Sequence, residues 1–255
     1  MTVVGVLHPG EMGSAVAAAL TGRGETVLWA SAGRSEATAE RAREAGLEDV
    51  GDVAELCRRC DVLLSIVPPH AALDVAREVS DFAGTYVDAN AIAPATARAI
   101  AGLHGRFVDG GIVGPPTLAA GATRLYLSGG KAESIAGLFA GTDVDARVIS
   151  ADPSAASALK MAYAGWTKAS GALLLTQRAL ARAEGVEDFL LEEWRLSLPG
   201  LEAEHASAAR SAQRKGWRWI GEMEEIARSM EAQNLPTGFH DAAAEVFRHT
   251  PREES

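Results

Sequence analysis

The fold of this chain is decided by residues 3–20, VVGVLHPGEMGSAVAAAL. Val3–Leu7 is a short apolar run typical of a buried strand, and Met12–Thr21 repeats its apolar residues at helical spacing. The turn between them nearly matches the dinucleotide-binding motif G-x-G-x-x-G, but His8 stands at its first glycine position. The stretch therefore predicts a strand, a turn and a helix. Taken alone, it leaves open whether the turn binds a nucleotide.

The two glycines that this turn retains have distinct physical roles. Gly10 lets the backbone approach a pyrophosphate, and Gly13 lets the helix pack closely on the strand. Pro9 holds His8 in an extended conformation and suits the first turn of a helix. The amides at the helix N-terminus can then face a diphosphate. The candidate cofactor-binding residues of the turn are His8, Pro9, Gly10, Glu11 and Met12.

The end of the second predicted strand indicates which dinucleotide the turn would bind. An NAD site usually has an Asp or Glu about twenty residues after the turn, where it binds the ribose 2′-hydroxyl. Residues 29–35, WASAGRS, contain no acid. Ser31, Arg34 and Ser35 suit a 2′-phosphate instead, because a guanidinium binds phosphate through paired hydrogen bonds. We therefore expect NADP(H) rather than NAD(H). The alternative is that Arg34 is a solvated loop residue and Ser35 only a helix cap.

Strands and helices alternate over the first part of the chain, and helices alone follow. Further strands are predicted at Thr26–Ala30, Asp61–Val67, Thr85–Asp88, Phe107–Asp109 and Leu125–Ser128. Helices are predicted at Ser35–Ala45, Asp52–Arg58, His70–Phe82, Pro94–Leu103, Ser154–Ala183, Val186–Leu196, Leu201–Ala212, Trp217–Ala232 and Phe239–Arg248. We predict an α/β fold: a Rossmann domain with a doubly wound parallel sheet (residues 1–152), then a long interdomain helix and a small all-helical C-terminal domain (residues 153–255). Residues 251–255 are expected to be a frayed tail.

The composition argues against several classes of partner and site. A net charge of −10 over 255 residues argues against nucleic acid or an anionic membrane surface. No apolar run has the length of a membrane span and no signal peptide is recognised, so we expect a cytoplasmic protein. The two cysteines, Cys57 and Cys60, form a CxxC after a predicted helix, at the wrong end to stabilise a thiolate. We expect neither a disulfide framework nor a metal site.

Five segments in order resemble the β-hydroxyacid dehydrogenase superfamily, which includes 6-phosphogluconate and 3-hydroxyisobutyrate dehydrogenases. They are GVLHPGEMG (5–13), DVLLSIVPPHAALDVAREV (61–79), YVDANAIAPATARAI (86–100), FVDGGIVGPP (107–116) and LKMAYAGWTKASGALLLTQRALARAEGV (159–186). The resemblance covers nearly the whole chain and is greatest to bacterial members whose C-terminal domain has no assigned function. It implies a nicotinamide-side loop with Val67 and Pro68, and it places Asn90 where the family has a cofactor-binding Ser.

The resemblance also implies that Lys160 is the catalytic lysine of the family's interdomain helix. In the family a glycine follows this lysine by twenty-five residues, and Gly185 has that separation from Lys160. Hydride delivered to a carbonyl leaves an alkoxide that needs a proton. A lysine beside that oxygen can supply the proton, or accept it in reverse if burial lowers its pKa. Without the resemblance, Lys160 would be interpreted as a surface lysine whose aliphatic stem covers apolar residues.

The chain departs from the family at positions that face the substrate. Tyr163 replaces the family's asparagine one turn after the lysine, and is predicted either to donate a hydrogen bond to the substrate or to fill core. Val113 replaces the substrate-binding serine, so Ile112, Val113 and Gly114 are expected to bind a less acidic, more apolar substrate. His240 is a further candidate substrate-binding residue, or alternatively a helix cap.

We therefore predict an NADP(H)-dependent oxidoreductase of the β-hydroxyacid dehydrogenase type, acting on a small, relatively apolar hydroxy or keto substrate with Lys160 as general acid/base. An imine reductase is the alternative, because related enzymes often lack the lysine and place Asp or Tyr in that part of the helix. A non-catalytic dinucleotide-binding protein is a second alternative, in which His8 would mark loss of the turn. A small helical domain on a long helix exposes apolar surface, so we expect a homodimer through the C-terminal helices, as in the family.

Overall fold

The computed structural model of this chain describes residues 2–116 and 121–251. Its contacts divide the chain into two compact units, Met1–Lys160 and Met161–Ser255. This division falls inside a long helix, slightly after the domain boundary predicted at residues 152/153, which stays a prediction. The predicted frayed tail lies, apart from Pro251, outside the described residues.

The N-terminal unit is built on an eight-stranded sheet. Its strands are β1 (Val3–Val6), β2 (Thr26–Trp29), β3 (Glu48–Asp49), β4 (Val62–Ser65), β5 (Thr85–Asp88), β6 (Phe107–Val113), β7 (Thr123–Ser128) and β8 (Val144–Ser150). They lie in the order β3-β2-β1-β4-β5-β6-β7-β8. Every neighbouring pair is parallel except β6 and β7. Residues 114–122, which join that pair, are too few for a crossover, since a parallel return takes about a dozen residues or more.

Six helices accompany the sheet in the described part of this unit, and one more leads out of it. They are α1 (Glu11–Gly22), α2 (Glu36–Glu44), α3 (Val53–Arg59), α4 (Ala72–Glu78), α5 (Pro94–Ala101) and α6 (Ala132–Leu138), followed by α7 (Ala155–Ala183). Apolar cores lie on both faces of the sheet. All four residues of β4 are buried, as its continuous apolar run predicts for a central parallel strand.

Among the described residues of the C-terminal unit, every secondary-structure element is a helix. It contains most of α7, then α8 (Glu187–Ser197), α9 (Leu201–Glu231) and α10 (Gly238–Arg248). α7 ends because Gly185 adopts a left-handed conformation at φ 71°, and the Val186 amide then donates to Ala181 O at 2.8 Å. The glycine that matches the family's spacing from Lys160 is therefore the residue that stops the long helix.

The structure corrects the sequence analysis at several elements. β3, α6 and β8 were not predicted, because they are short or rich in charged residues and β3 and β8 depend on pairing with a neighbouring strand. β6 continues to Val113 through Gly110 and Gly111, which weaken a strand pattern. The two helices predicted at Leu201–Ala212 and Trp217–Ala232 are wrong as separate elements. They form the single helix α9, whose Gly216 packs against the Phe247 side chain.

Candidate active site

The predicted cofactor residues converge at one edge of the sheet. The strand order changes direction between β1 and β4, which is where open α/β sheets bind their ligands. Because β1, β2, β4 and β5 are parallel, the loops after them gather at this same edge. Those loops carry residues 8–12, residues 31–35, Val67, Pro68 and Asn90. The topology thus brings together residues that are far apart in sequence.

The turn between β1 and α1 is closed although it lacks the first glycine. The Gly10 amide donates to the His8 carbonyl at 2.8 Å. A Cβ on Gly13 would lie 2.5 Å from that same carbonyl oxygen, so α1 can approach the turn only with glycine here. A Cβ on Gly10 would meet nothing within 4 Å, and no side chain caps α1. The first-turn amides of a helix lack intrahelical partners, so the open end of α1 is suited to an anion.

The imidazole of His8 lies beside the guanidinium of Arg34. Burial, and then the positive charge of Arg34, lower the pKa of His8 to about 4, so this imidazole is neutral at physiological pH. Among the described residues, His8 Nδ1 and Arg34 Nε are buried side-chain atoms without a hydrogen-bond partner. Buried polar atoms are normally paired, so this pair points to a polar ligand that the protein itself does not provide. A positive guanidinium at this place fits an anionic group.

A second guanidinium, that of Arg41, reaches the same turn and was missed from the sequence. Arg41 Nε donates to Pro9 O at 3.4 Å, and its terminal nitrogen donates to Thr38 Oγ1 at 3.1 Å. Arg41 lies within α2, whose position beside the turn is a tertiary feature, so local sequence gave no signal for it. Ser35 caps α2 by accepting from the Thr38 amide at 3.3 Å. Ser35 is therefore the N-cap of α2, which was the alternative role expected for it.

An acid does lie near the end of β2, although residues 29–35 contain none. Asp49 in β3 accepts from the Ser31 amide at 3.2 Å and from the Gly51 amide at 2.8 Å, both through Oδ1. Asp49 reaches this loop only through β3, a two-residue strand that the sequence pattern does not predict. Two backbone donors hold this carboxylate oxygen, so Asp49 braces the loop after β2.

The loop after β4 is held by the buried amide of Asn90. The Val67 amide donates to Asn90 Oδ1 at 2.5 Å. Asn90 Nδ2 in turn donates to Asp88 Oδ2 at 2.8 Å and to Ser65 Oγ at 3.2 Å. Pro68 follows directly and precedes a short 3-10 turn, Pro69–Ala71, so the helix predicted from His70 begins later, at Ala72. Asn90 thus fixes where Val67 and Pro68 lie.

Lys160 is fixed on β6 at the edge where these loops gather. Its Nζ donates to Ile112 O at 2.8 Å. The register pairs Asp88 of β5 with Asp109 of β6, so Ile112 lies beyond the end of β5, on the side of Asn90. α7 comes this close because a Cβ on Gly111 would lie 2.8 Å from Ala156 O and 3.1 Å from the Lys160 Cβ. Gly111 is therefore a residue of the site that sequence reasoning missed.

The predicted substrate segment presents backbone rather than side chains. The side chains of Ile112 and Val113 are buried, and Ile112 contributes its carbonyl to Lys160. Gly114 has φ 127°, and a Cβ there would lie 2.2 Å from Ala122 O, so only glycine fits. The substrate roles of these three residues stay predictions.

Two predicted residues lie in the C-terminal unit. Tyr163 follows Lys160 by three residues in α7, and it is 47% exposed, so it does not fill core in this chain. His240 is buried, and its Nε2 lies 3.0 Å from the position that a Cβ on Gly165 would take. Burial lowers the pKa of His240, while Asp241 opposes that shift. Thr237 precedes α10 as its N-terminal boundary, so His240 is not a helix cap.

Other features of the described residues add no second reactive centre. Cys57 and Cys60 stand at the C-terminal end of α3 as predicted, and burial raises the pKa of the Cys60 thiol to about 12. Within residues 2–116 and 121–251, no three His, Cys, Asp or Glu side chains are placed to hold a metal ion together. None of the helices described there combines the length and apolarity that crossing a membrane takes.

Two family models match separate parts of the chain. Residues 3–91 match "NADP oxidoreductase coenzyme F420-dependent", and residues 181–250 match "Domain of unknown function (DUF1932)". An uncharacterised 28.5 kDa protein of Methanothermus fervidus is 31% identical over 161 residues, which are 63% of each chain. The chain therefore spans just under two thirds of the length of this curated relative.

Solved structures similar to this chain cover nearly all of it. The conserved protein MTH1747, of unknown function and described as structurally similar to 3-hydroxyacid dehydrogenases, is 29% identical with a TM-score of 0.74 over 96% of this chain and 95% of its own. The Mycobacterium tuberculosis 3-hydroxyisobutyrate dehydrogenase is 16% identical with a TM-score of 0.74 over 97% and 93%. A reductive aminase of Aspergillus terreus, solved with NADPH, is 20% identical with a TM-score of 0.62 over 97% and 93%. At these last two identities the likeness concerns the fold alone.

The family model over residues 3–91 includes the turn between β1 and α1, and the solved structures extend over α7 as well. The predicted fold class and the predicted resemblance are both confirmed. The N-terminal part of the chain is similar to NADP oxidoreductases, its C-terminal part is similar to a domain of unknown function, and its fold is that of the 3-hydroxyacid dehydrogenases.

Proposed function

We propose that this chain is an NADP(H)-dependent oxidoreductase that transfers hydride between nicotinamide and a small, relatively apolar hydroxy or keto compound. One observation carries the proposal: Lys160 Nζ is fixed on Ile112 O at the sheet edge where the loops after β1, β4 and β5 gather. A lysine held beside a dinucleotide-binding turn suits carbonyl reduction or alcohol oxidation. The match to NADP oxidoreductases and the 3-hydroxyacid dehydrogenase fold support the same chemistry.

The residues around the turn suit NADP(H) more than NAD(H). The open N-terminus of α1 at Gly10 would hold the pyrophosphate. Arg34 and Arg41 would bind the 2′-phosphate, with the neutral imidazole of His8 beside it. Val67 and Asn90 would lie on the nicotinamide side. When bound, this cofactor supplies or accepts the hydride.

Lys160 would manage the proton that accompanies the hydride. The bond from its Nζ to Ile112 O fixes the position of the ammonium on β6. In the reductive direction Lys160 would protonate the oxygen that becomes the alcohol, and in the oxidative direction it would accept that proton. The segment Ile112–Gly114, whose first carbonyl binds Lys160, buries its apolar side chains and presents backbone groups but no hydroxyl. We infer from this a substrate less acidic than a simple β-hydroxy acid.

Imine reduction is the second candidate. Tyr163 is half exposed one turn after Lys160, and it offers a phenolic hydroxyl in the part of the helix where related imine reductases place Asp or Tyr. The fold likeness to the reductive aminase allows this chemistry. Because carbonyl and imine substrates differ in the atom that receives the proton, a substrate panel separates the two.

We also propose that the chain forms a homodimer through its C-terminal helices. Large apolar side chains of this unit are exposed, among them Trp166, Leu173, Leu180, Val186, Phe189 and Leu198. They line a groove of about 1350 Å³ along α7, α8 and α9. Monomeric proteins rarely leave so large an apolar patch in water, and a second copy would cover it on both chains.

The test has a binding arm and a turnover arm. NADPH and NADH are titrated separately into the protein by fluorescence, and a panel of β-hydroxy acids, ketones and imines is then followed by NADPH absorbance. The proposal expects much tighter binding of NADPH and turnover of an alcohol–ketone pair. Turnover of imines alone would favour the second candidate. Binding of neither cofactor would overturn both candidates.

A further inference from the structure

Two buried carboxylates lie side by side beneath the candidate site. Asp88 of β5 and Asp109 of β6 are register partners on adjacent strands, and both are fully enclosed. Burial, against the opposing hydrogen bonds from Asn90 and with a smaller contribution from the neighbouring Asp109, raises the pKa of Asp88 to about 7. Burial also raises the pKa of Asp109 to about 6, against the opposing effect of its hydrogen bonds. Burying two adjacent carboxyl groups out of water is unfavourable unless hydrogen bonds compensate for the lost hydration.

Asp109 holds the first turn of α7. Its Oδ2 accepts from the Ser157 amide at 2.7 Å and from Ser128 Oγ at 3.2 Å, and its Oδ1 accepts from Ser157 Oγ at 2.6 Å. Ser128 Oγ in turn accepts from the Ala156 amide at 3.0 Å. A carboxylate at this end of a helix also meets the positive end of the helix dipole. Asp109 is therefore the cap of α7, supplied by the neighbouring strand.

Strand β6, which carries Asp109, also contacts Lys160 a few residues further on. Gly111 lies against Ala156 and the Lys160 Cβ, and Ile112 O receives Lys160 Nζ. Lys160 follows Ser157 by three residues, which is about one helical turn. Asp109 and Ile112 thus fix α7 at two points on one strand, and the position of the ammonium depends on both.

Asp88 holds the other half of the site. Its Oδ1 accepts from the Asn90 amide at 3.1 Å and its Oδ2 accepts from Asn90 Nδ2 at 2.8 Å. These bonds orient the Asn90 side chain, whose Oδ1 receives the Val67 amide. Among the described residues, the hydrogen bonds of Asp88 run to Asn90 and not to α7, and those of Asp109 run to Ser128 and Ser157 and not to the Val67 loop. The two acids have separate targets although they are neighbours.

We propose that Asp109 and Asp88 are positioning residues for the two halves of the active site. Asp109 sets the place of Lys160 through the first turn of α7, and Asp88 sets the place of the Val67 loop through Asn90. The Asp109 half rests on the proposed function of Lys160. The Asp88 half needs only that the loop binds the cofactor.

The experiment compares Asp109→Asn with Asp88→Asn, two isosteric changes at equally buried sites. Asp109→Asn is expected to lower kcat by about tenfold to a hundredfold, because a misplacement of about 1 Å costs up to a hundredfold, and to leave the Kd for NADPH unchanged. Asp88→Asn is expected to raise the Kd for NADPH by about tenfold, the size of one net hydrogen bond, with kcat at saturating NADPH nearly retained. Ser157→Ala removes one donor to Asp109 and should give a smaller loss of kcat than Asp109→Asn.

Hydrogen exchange separates positioning from general loss of structure. Asp109→Asn should speed exchange of amides in residues 155–160 and leave residues 65–68 unchanged, and Asp88→Asn should do the reverse. Equal changes in kcat and Kd for both variants, or a lower melting temperature alone, would overturn the proposal. If Asp109→Asn fails to fold, Ser157→Ala decides the α7 half, and an unchanged kcat there would refute it. If turnover survives Lys160→Ala, the proposed function fails while the NADPH affinity of Asp88→Asn still decides the loop half.

Discussion

Replacing Gly111 by alanine tests whether β6 sets the position of α7. The new Cβ would lie 2.8 Å from Ala156 O and 3.1 Å from the Lys160 Cβ, where ordinary contacts begin at 3.4 Å. The helix must therefore withdraw by about 0.6 Å, or the strand must yield, and overpacking of this kind costs about 1–3 kcal/mol in unfolding free energy. Since a 1 Å misplacement can cost about a hundredfold in rate, we expect kcat to fall by about tenfold.

The assay measures kcat with saturating NADPH, the Kd for NADPH, and unfolding by urea. The cofactor loops lie on other strands, so the Kd should be unchanged. Gly137→Ala is the matched control, because a Cβ at this position of α6 would meet nothing within 4 Å. That variant should gain about 0.5–1 kcal/mol from helix propensity and keep its kcat. A Gly111→Ala protein with normal kcat and normal stability would refute the close approach of β6 and α7.

Three further predictions concern the cofactor, pH and assembly. Arg34→Ala should weaken NADPH binding by about tenfold to a hundredfold, the size of a lost charged hydrogen bond, and leave NADH binding unchanged; equal losses for both would remove the 2′-phosphate role. The pKa of His8 is about 4 in the folded chain and 6.5 unfolded, so between these values only the unfolded state takes up the proton. The unfolding free energy of wild type relative to His8→Asn should therefore rise from pH 4 to pH 6.5, and a constant difference would contradict this. Phe189 is 73% exposed, so Phe189→Glu should leave the monomer folded but abolish the dimer, as measured by light scattering. A monomeric wild-type protein would refute the proposed assembly.

Sequence alone predicts those parts of the site whose residues are close neighbours along the chain. Gly10 and Gly13 act within one turn, so a short motif reveals them. The nearly continuous apolar run over β4 likewise predicts a strand, whose four residues are all buried. Lys160 was found only through the resemblance, because a single lysine on an amphipathic helix carries no local signal. The strand order that gathers the loops follows from alternating strands and helices.

The remaining residues depend on tertiary contacts that no local pattern encodes. Arg41 reaches Pro9 from the middle of α2, and Asp49 arrives at Ser31 through a two-residue strand. Asp109 lies in a segment that resembles the family, yet its hydrogen bonds run to Ser157, forty-eight residues away. The charged residues of β3 and β8 and the glycines of β6 have low strand propensity. These segments form strands because they pair with neighbouring strands of the sheet.

The central claim is that Lys160 manages the proton of a redox reaction at this sheet edge. Steady-state turnover of Lys160→Ala against wild type, with NADPH affinity measured on the same samples, tests it most directly. The account predicts that turnover falls by about a hundredfold to ten-thousandfold, the usual contribution of a general acid or base, while the Kd for NADPH is unchanged. Undiminished turnover by Lys160→Ala would contradict it.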